Sequence, residues 1–225
     1  MPNAGGYFTG QLFKFLRELE ANNNKEWFLE NKPRYEDHVK EPLLRFISDF
    51  ADHLEKISGQ FNADPRPSGG SMFRIYRDAR FAKDKSPYKT HAAAHFRHRV
   101  GKDVHAPGFY LHLQPRGCFM GGGIWHPDQV ALHKIRDEIV ANPDEWKKVL
   151  KSGLVIEGDM LTRAPQGYRA DHLFVEDLKR KDFFTSIPFS DNEACASDFI
   201  ERYADACRTS APLMKFLTHA VELPF

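Results

Sequence analysis

The sequence predicts an α+β fold, an antiparallel β-meander over about residues 71–123 packed by N- and C-terminal helices. Three observations predict it. The apolar period is three to four before residue 60, two between 71 and 123, and three to four again beyond 127. No Ser/Gly-rich or charged linker and no internal repeat divides the chain, which reads as one domain, 1–225. A chain of 225 residues with 41% apolar residues is long enough to bury one substantial core.

The elements follow in order. Thr9 is placed to cap a helix whose apolar positions are Leu12, Phe13, Leu16 and Leu19, and the asparagines 22–24 stop it. After Pro33 one stripe runs Tyr35, Val39, Leu43, Phe46, Phe50, Leu54, Ile57; Pro42 removes a backbone donor and predicts a kink. Residues 72–77 alternate, Phe73 and Ile75 toward the core and Arg74 and Tyr76 away. Ala92, Ala94 and Phe96 then face inward with His91, His95 and Arg97 outward, as do Phe109, Leu111 and Leu113 against Tyr110, His112 and Gln114. Residues 118–123 supply a fourth strand after the turn at 115–117. Helices are expected after Pro127 and Pro143, an extended stretch near 154–162, a helix at 175–180 and a strand at 183–188. A helix over 191–208 and a separate one after Pro212 close the chain. Trp27, Phe28 and Trp125 read as core anchors.

A net charge of +1 disfavours a globally basic nucleic-acid binder and an acidic disordered chain. The distribution is uneven. Residues 66–102 hold ten Lys/Arg against Asp78 and Asp84, a local +8, and the remainder is −7. No apolar run approaches a membrane span and the N-terminus lacks a signal pattern, so the expectation is a cytoplasmic protein with no membrane partner. Three cysteines without C-x-x-C or zinc-finger spacing read as reduced packing residues.

Inside the basic segment lies Arg77-Asp-Ala-Arg80-Phe-Ala-Lys-Asp84-Lys85-Ser-Pro87-Tyr88-Lys89-Thr. With Asn23-Asn-Lys-Glu-Trp-Phe28 upstream and Gly121-Gly-Gly-Ile-Trp125 downstream, it resembles the domain-of-unknown-function family 2461, whose hallmark is an Arg-Phe-x-x-Asp-Lys-x-Pro-Tyr-Lys string. The resemblance runs from Phe15 to the C-terminal helices. It implies an α+β domain of cytoplasmic proteins and carries over no catalytic residue, substrate or cofactor.

The residues themselves point to an anion site. Guanidinium forks and lysines suit phosphate or carboxylate, which makes Arg74, Tyr76, Arg77, Arg80, Lys83, Asp84, Lys85, Tyr88 and Lys89 the candidate ligand-binding set. A salt-bridged turn built by Asp78 and Asp84 is the structural alternative. On the outward face, His91, His95 and His112 are candidate acid–base groups, beside cations that favour the neutral imidazole. A metal site is disfavoured because carboxylates are few there and cations many; no cofactor is implied, since nucleotide-loop, zincin and nucleophile-elbow motifs are absent. Three readings follow: a binder of an anionic small molecule or nucleotide, with or without histidine chemistry; a nucleic-acid module, less favoured by the near-neutral charge; and a protein-interaction domain.

Overall fold

The computed structural model describes residues 6–78, 80, 83–100 and 106–225. Thr9 caps α1 (Gly10–Ala21) through its side chain, as its sequence position requires, and Leu12, Phe13, Phe15, Leu16 and Leu19 bury one face. α2 (Lys25–Glu30) is capped by Asn24, and α3 (Lys32–Tyr35) runs through a π-helical turn at Glu36–Lys40 into α4 (Glu41–Ile57). Pro42 therefore lies just after the π turn in a helix that runs on from α3, so its missing donor falls where the hydrogen-bond ladder is already shifted, and the irregularity it announces is that π turn.

The sheet has the order β1-β2-β3-β4, all antiparallel: β1 (Ala92–Arg97), β2 (Gly108–Leu113), β3 (Cys118–Ile124) and β4 (Phe183–Phe189). The meander thus has three strands between 92 and 124, and its fourth member is the later segment, not residues 72–77. Among the described residues, 72–77 pair with β1 only at an isolated Met72–Ala94 bridge. Because Ala94 faces the core, Met72 faces it too and Phe73 points outward, one residue out of step with the sequence expectation; Ile75 is buried as expected.

On the inner face Ala92, Ala94, Phe96, Phe109, Leu111, Leu113 and Met120 pack with α1 and α4 and the first half of α9 (Phe199–Ala220). A second cluster holds Ile124, Phe183 and Leu178 of α7 (Val175–Leu178) with Leu132, Ile135 and Ile139 of α5 (Gln129–Ala141). Trp146 and Val149 of α6 (Pro143–Lys151) and Leu213, Phe216 and Leu217 of α9 complete it. α9 spans both clusters and continues through Pro212, where a helix break was expected. Pro212 is solvent-exposed while Leu213, Met214 and Phe216 are buried, so apolar burial outweighs one lost helical bond whose orphaned carbonyl is open to water. The short α8 (Asp191–Ala194) carries a capping box between Ser190 and Glu193. Trp125 is 60% exposed and anchors no core, whereas Phe28 is buried. The cysteines are free thiols, Cys118 and Cys207 buried. Among the described residues no helix is long and apolar enough to cross a membrane.

β3 contributes two glycines to close approaches. A Cβ on Gly122 would lie 2.7 Å from Ser210 Oγ of α9, and one on Gly123, whose φ is +145°, would lie 2.2 Å from the Phe183 carbonyl oxygen. Backbone cannot yield there as a side chain can. We therefore expect Gly123→Ala to lower unfolding free energy by about 3 kcal/mol or to prevent folding, measured as a shift of the urea midpoint at unchanged m-value; a shift within error would show that the β3–β4 contact relaxes freely.

Candidate functional site

The outward face of the sheet is a grid set by the register. Ala93, His112, Phe119 and Pro188 form one cross-strand row, His95, Tyr110, Gly121 and Ser186 the next, and Arg97, Gly108, Gly123 and Phe184 the third. The alternation expected for β1 and β2 holds: Phe96 and Leu111 are fully buried, and His91, His95, Tyr110 and His112 are half-buried on the other side.

These rings touch. The His91 and His112 centroids are 4.4 Å apart, and Phe119 stacks on His112 at 4.7 Å. Phe73 lies 6.3 Å from His95 and 6.0 Å from Tyr110, and the ammonium of Lys89 sits 5.1 Å from the Phe73 centroid. His112 Nε2 lies 3.0 Å from Gln114 Oε1 and Nδ1 lies 3.0 Å from the Tyr110 hydroxyl. With Nε2–H donating to the amide oxygen, Nδ1 accepts from Tyr110, and the neutral ring satisfies both partners at once. Burial raises the Tyr110 pKa to about 12, so it stays a donor.

Electrostatics keep the imidazoles neutral. Burial, then His112 and Lys89, lowers His91 to about 4; burial, then Arg97, lowers His95 to about 4; burial also lowers His112. Lys89 is itself lowered by burial and then by Arg74, so two cations face each other at the rim. Lys89 Nζ donates to the Arg74 carbonyl at 3.1 Å. The set is thus a neutral, ring-lined surface with positive charge around it, fit to hydrogen-bond, to stack and to attract an anion.

The remaining sequence candidates lie on a hairpin. Arg77 N–H donates to the Pro87 carbonyl at 2.9 Å and Lys89 N–H to the Ile75 carbonyl at 2.8 Å, with a Tyr76–Tyr88 bridge between. Tyr88 is buried, its ring 4.1 Å from Phe28, and its backbone is clamped by the Asn23 side chain in two bonds of 2.9 and 3.1 Å. Tyr76 packs at 5.5 Å from Tyr88 and is 54% exposed, so it does not join the histidine face; Phe73 takes that place, for the register reason given above.

The hairpin tip is cross-linked by its own charges. Asp84 accepts from Ser86 N–H and Oγ–H at 2.9 and 2.6 Å and pairs with Arg77. The Ser86 bonds, then Arg77, lower Asp84 to about 2. Arg80 forks onto Asp78 at 2.9 and 2.7 Å, and Lys85 Nζ donates to the Arg80 carbonyl at 3.2 Å. Arg66 pairs with Asp64 and Arg99 with Glu55. Among the described residues no carboxylate lies within ion-pair distance of Arg74, Lys83, Lys89 or Arg97, although the charge of Arg74 helps to lower Asp78; Phe81 and Lys102 lie outside the described residues. Arg97, Phe73, Phe119 and Gln114 were absent from the sequence-derived set. The alternation of β1 and β2 already pointed Arg97 and Gln114 outward, and extending it to β3 finds Phe119; Phe73 had no such signal.

No group of three or more His, Cys, Asp and Glu among the described residues is placed to hold a metal ion. A groove of about 750 Å³ between α5, α6 and α9 shares no residue with this face. Several of its charges answer neighbours: His219 pairs with Glu138, Lys148 with Glu145 and Arg208 with Asp205.

The histidines make stability depend on pH. Folded pKa values of about 4 lie below the unfolded 6.5, so between these values the unfolded chain binds protons that the folded chain refuses. Stability is full above pH 6.5 and is lost as pH falls toward 4. Between about pH 6.5 and 5, above the carboxylate range, each of His91 and His95 should remove on the order of 1 kcal/mol after solvent screening. Urea midpoints across that window should slope in the wild type and flatten in His91→Gln and His95→Gln; an unchanged slope would show that neither ring is protected from protons.

In comparison with known proteins, a family model described as Conserved hypothetical protein (DUF2461) matches residues 11–216. No curated protein and no solved structure gives a match.

Proposed function

The chain belongs to the DUF2461 family of conserved hypothetical proteins, and since that description names no reaction, we propose from the geometry that it binds a small anionic ligand with a planar part on the outward face of the sheet. Lys89, Arg97 and Arg74 answer the anion, and His91, His95, Tyr110 and His112 meet the planar part by stacking and hydrogen bonds. The observation that carries the reading is the placement of Lys89 and Arg97, neither within ion-pair distance of a carboxylate among the described residues, beside a half-buried set of neutral rings. Crowded like charges and desolvated imidazoles cost folding free energy, and a bound anion offsets that cost.

The hairpin tip supplies second contacts in this reading. The Arg77–Asp84 and Arg80–Asp78 pairs are largely exposed, and exposed pairs are worth about 0–1 kcal/mol. An arriving phosphate can therefore exchange for Asp84 or Asp78 at little cost, bringing Arg77, Arg80, Lys83 and Lys85 to bear. Neutral His91 or His95 then stands ready to accept a proton from the ligand, which is the acid–base chemistry this face supports.

Thermal melting against inorganic phosphate, carboxylates, sugar phosphates, mononucleotides and short oligonucleotides tests the proposal. A ligand at about a hundred times its Kd stabilises by about 2.7 kcal/mol, several degrees for a domain of this size. We expect a mononucleotide or another planar phosphate to raise Tm, with the shift lost in Lys89→Met and Arg97→Met and reduced in Arg80→Ala. No shift with any compound, or a shift indifferent to Lys89 and Arg97, would overturn it. A shift confined to oligonucleotides and falling steeply with salt would favour a nucleic-acid site instead.

A further inference from the structure

The cross-strand rows of the outward face continue past β4. Glu157 pairs with Phe184 in an isolated antiparallel bridge, its N–H donating to the Phe184 carbonyl at 2.7 Å. Paired residues share a face, so the third row runs Arg97, Gly108, Gly123, Phe184, Glu157, with a guanidinium at one end and a carboxylate at the other. Arg97, Phe184 and Glu157 are each half-buried. The Glu157 carboxylate is held at the rim through one oxygen. Oε1 accepts the Ser186 backbone N–H at 3.1 Å and the Ser186 hydroxyl proton as well. Ser186 lies in the neighbouring row, on the face of His95 and Tyr110, which keeps the carboxylate on the outward side. Among the described residues Oε2 accepts no hydrogen bond and no cation stands within ion-pair distance of it. A carboxylate with one oxygen engaged and the other open is an acceptor for a donor brought from outside.

Between the two charges the surface is made of rings. A Cβ on Gly108 would lie 2.2 Å from His95 Nε2, so the His95 ring leans out of its own row into the space a side chain of Gly108 would take, next to Arg97. A Cβ on Gly121 would meet Tyr110 and Phe119 at 3.4 and 3.7 Å. Gly108 and Gly121 are thereby buried under these rings, and Gly123 is half-buried. Four inter-strand steps of about 4.8 Å put the Arg97 and Glu157 Cα atoms about 19 Å apart, a span that two long side chains and one ligand of mononucleotide size fill.

We propose, resting on the anion-binding reading of this face, that Glu157 is its specificity-determining residue: Oε2 accepts a hydrogen bond from an amino group on the planar part of the ligand, at the end opposite the anion. The ligand class narrows to aminated planar heterocycles that carry a phosphate. Arg97 answers the phosphate, the heterocycle lies over the rings of His95 and Phe184, and the amino group reaches Glu157. A ligand with a bare C–H at that edge leaves the carboxylate covered and unpaired, which costs affinity.

The probes are adenosine monophosphate and purine riboside monophosphate, the same molecule with hydrogen in place of the amino group, titrated calorimetrically into the full chain. We expect the wild type to bind adenosine monophosphate about tenfold more tightly, as one hydrogen bond to a charged acceptor requires. In Glu157→Gln the two Ser186 donors hold the amide oxygen at the Oε1 position, which puts the NH2 group where Oε2 stood, and the preference should vanish. Arg97→Met should weaken both nucleotides alike, so it reports on the anion reading separately. Equal binding of the two by the wild type, or a preference kept in Glu157→Gln, overturns the role of Glu157 while the anion face stands. Binding of neither nucleotide by the wild type overturns both. Should Glu157→Gln fail to fold, the wild-type 13C shift of the Glu157 carboxyl carbon decides: it should move with adenosine monophosphate and stay with the analogue, and an equal response to the two overturns the assignment.

Discussion

The structure depends on how little side chain β3 carries. Its inward residue Gly122 lets α9 approach the sheet at Ser210, and Gly123 lets β4 fold against it with the Phe183 carbonyl where a Cβ would stand. α9 in turn joins the cluster around Phe46, Phe50 and Phe96 to the one around Trp146 and Phe183. With α4 and α9 covering the inner face, half-buried polar side chains are left to the outer one, which is why the imidazoles collect there. A sheet with one packed face and one partly solvated face is the arrangement antiparallel strands permit.

The residues of the 77–89 segment and its upstream partners do unequal work. Asn23, Phe28 and Tyr88 tie the base of the hairpin to the N-terminal helices by two hydrogen bonds between the Asn23 side chain and the Tyr88 backbone and by a stacked ring pair. Arg77, Asp78, Arg80 and Asp84 cross-link its tip in water, where each pair is weak. Lys89 is the point where the two roles meet, since its backbone closes the hairpin and its ammonium stands over Phe73 at the edge of the histidine face.

Much of this was legible in the sequence, for local reasons. Period-two alternation placed Phe96 and Leu111 inside and His95 and His112 outside because six-residue strands leave no other register that buries the apolar set. The helix at Thr9 followed from its cap. What failed to show was non-local. Residues 72–77 alternate like a strand, but only Met72 bridges β1 before the chain turns to form the hairpin, so Tyr76 packs on Phe28 and Tyr88 instead of the histidines and Arg74 gives its carbonyl to Lys89. Pro212 reads as a helix stop until one sees that its own face is solvated and its neighbours are buried. Trp125 reads as core because tryptophan usually is, and nothing near it in sequence names Asp182, which is the residue that turns His126, and the chain with it, outward.

The distant origin of β4 has a consequence for how the chain is made. β1, β2 and β3 are neighbours in sequence and can pair as soon as residue 124 has emerged, but the strand that covers the far side of β3 arrives nearly sixty residues later. Until then β3 is a seven-residue open edge with Met120 and Ile124 unprotected, joined to helices α5 and α6 that lack Phe183 to pack on. Long-range strand pairing of this sort is slow and leaves a template for wrong partners. A nascent or truncated chain that stops before β4 thus presents the same three-glycine edge to another copy of itself, and the segment most important to the finished fold is the one most exposed to aggregation while the fold is unfinished.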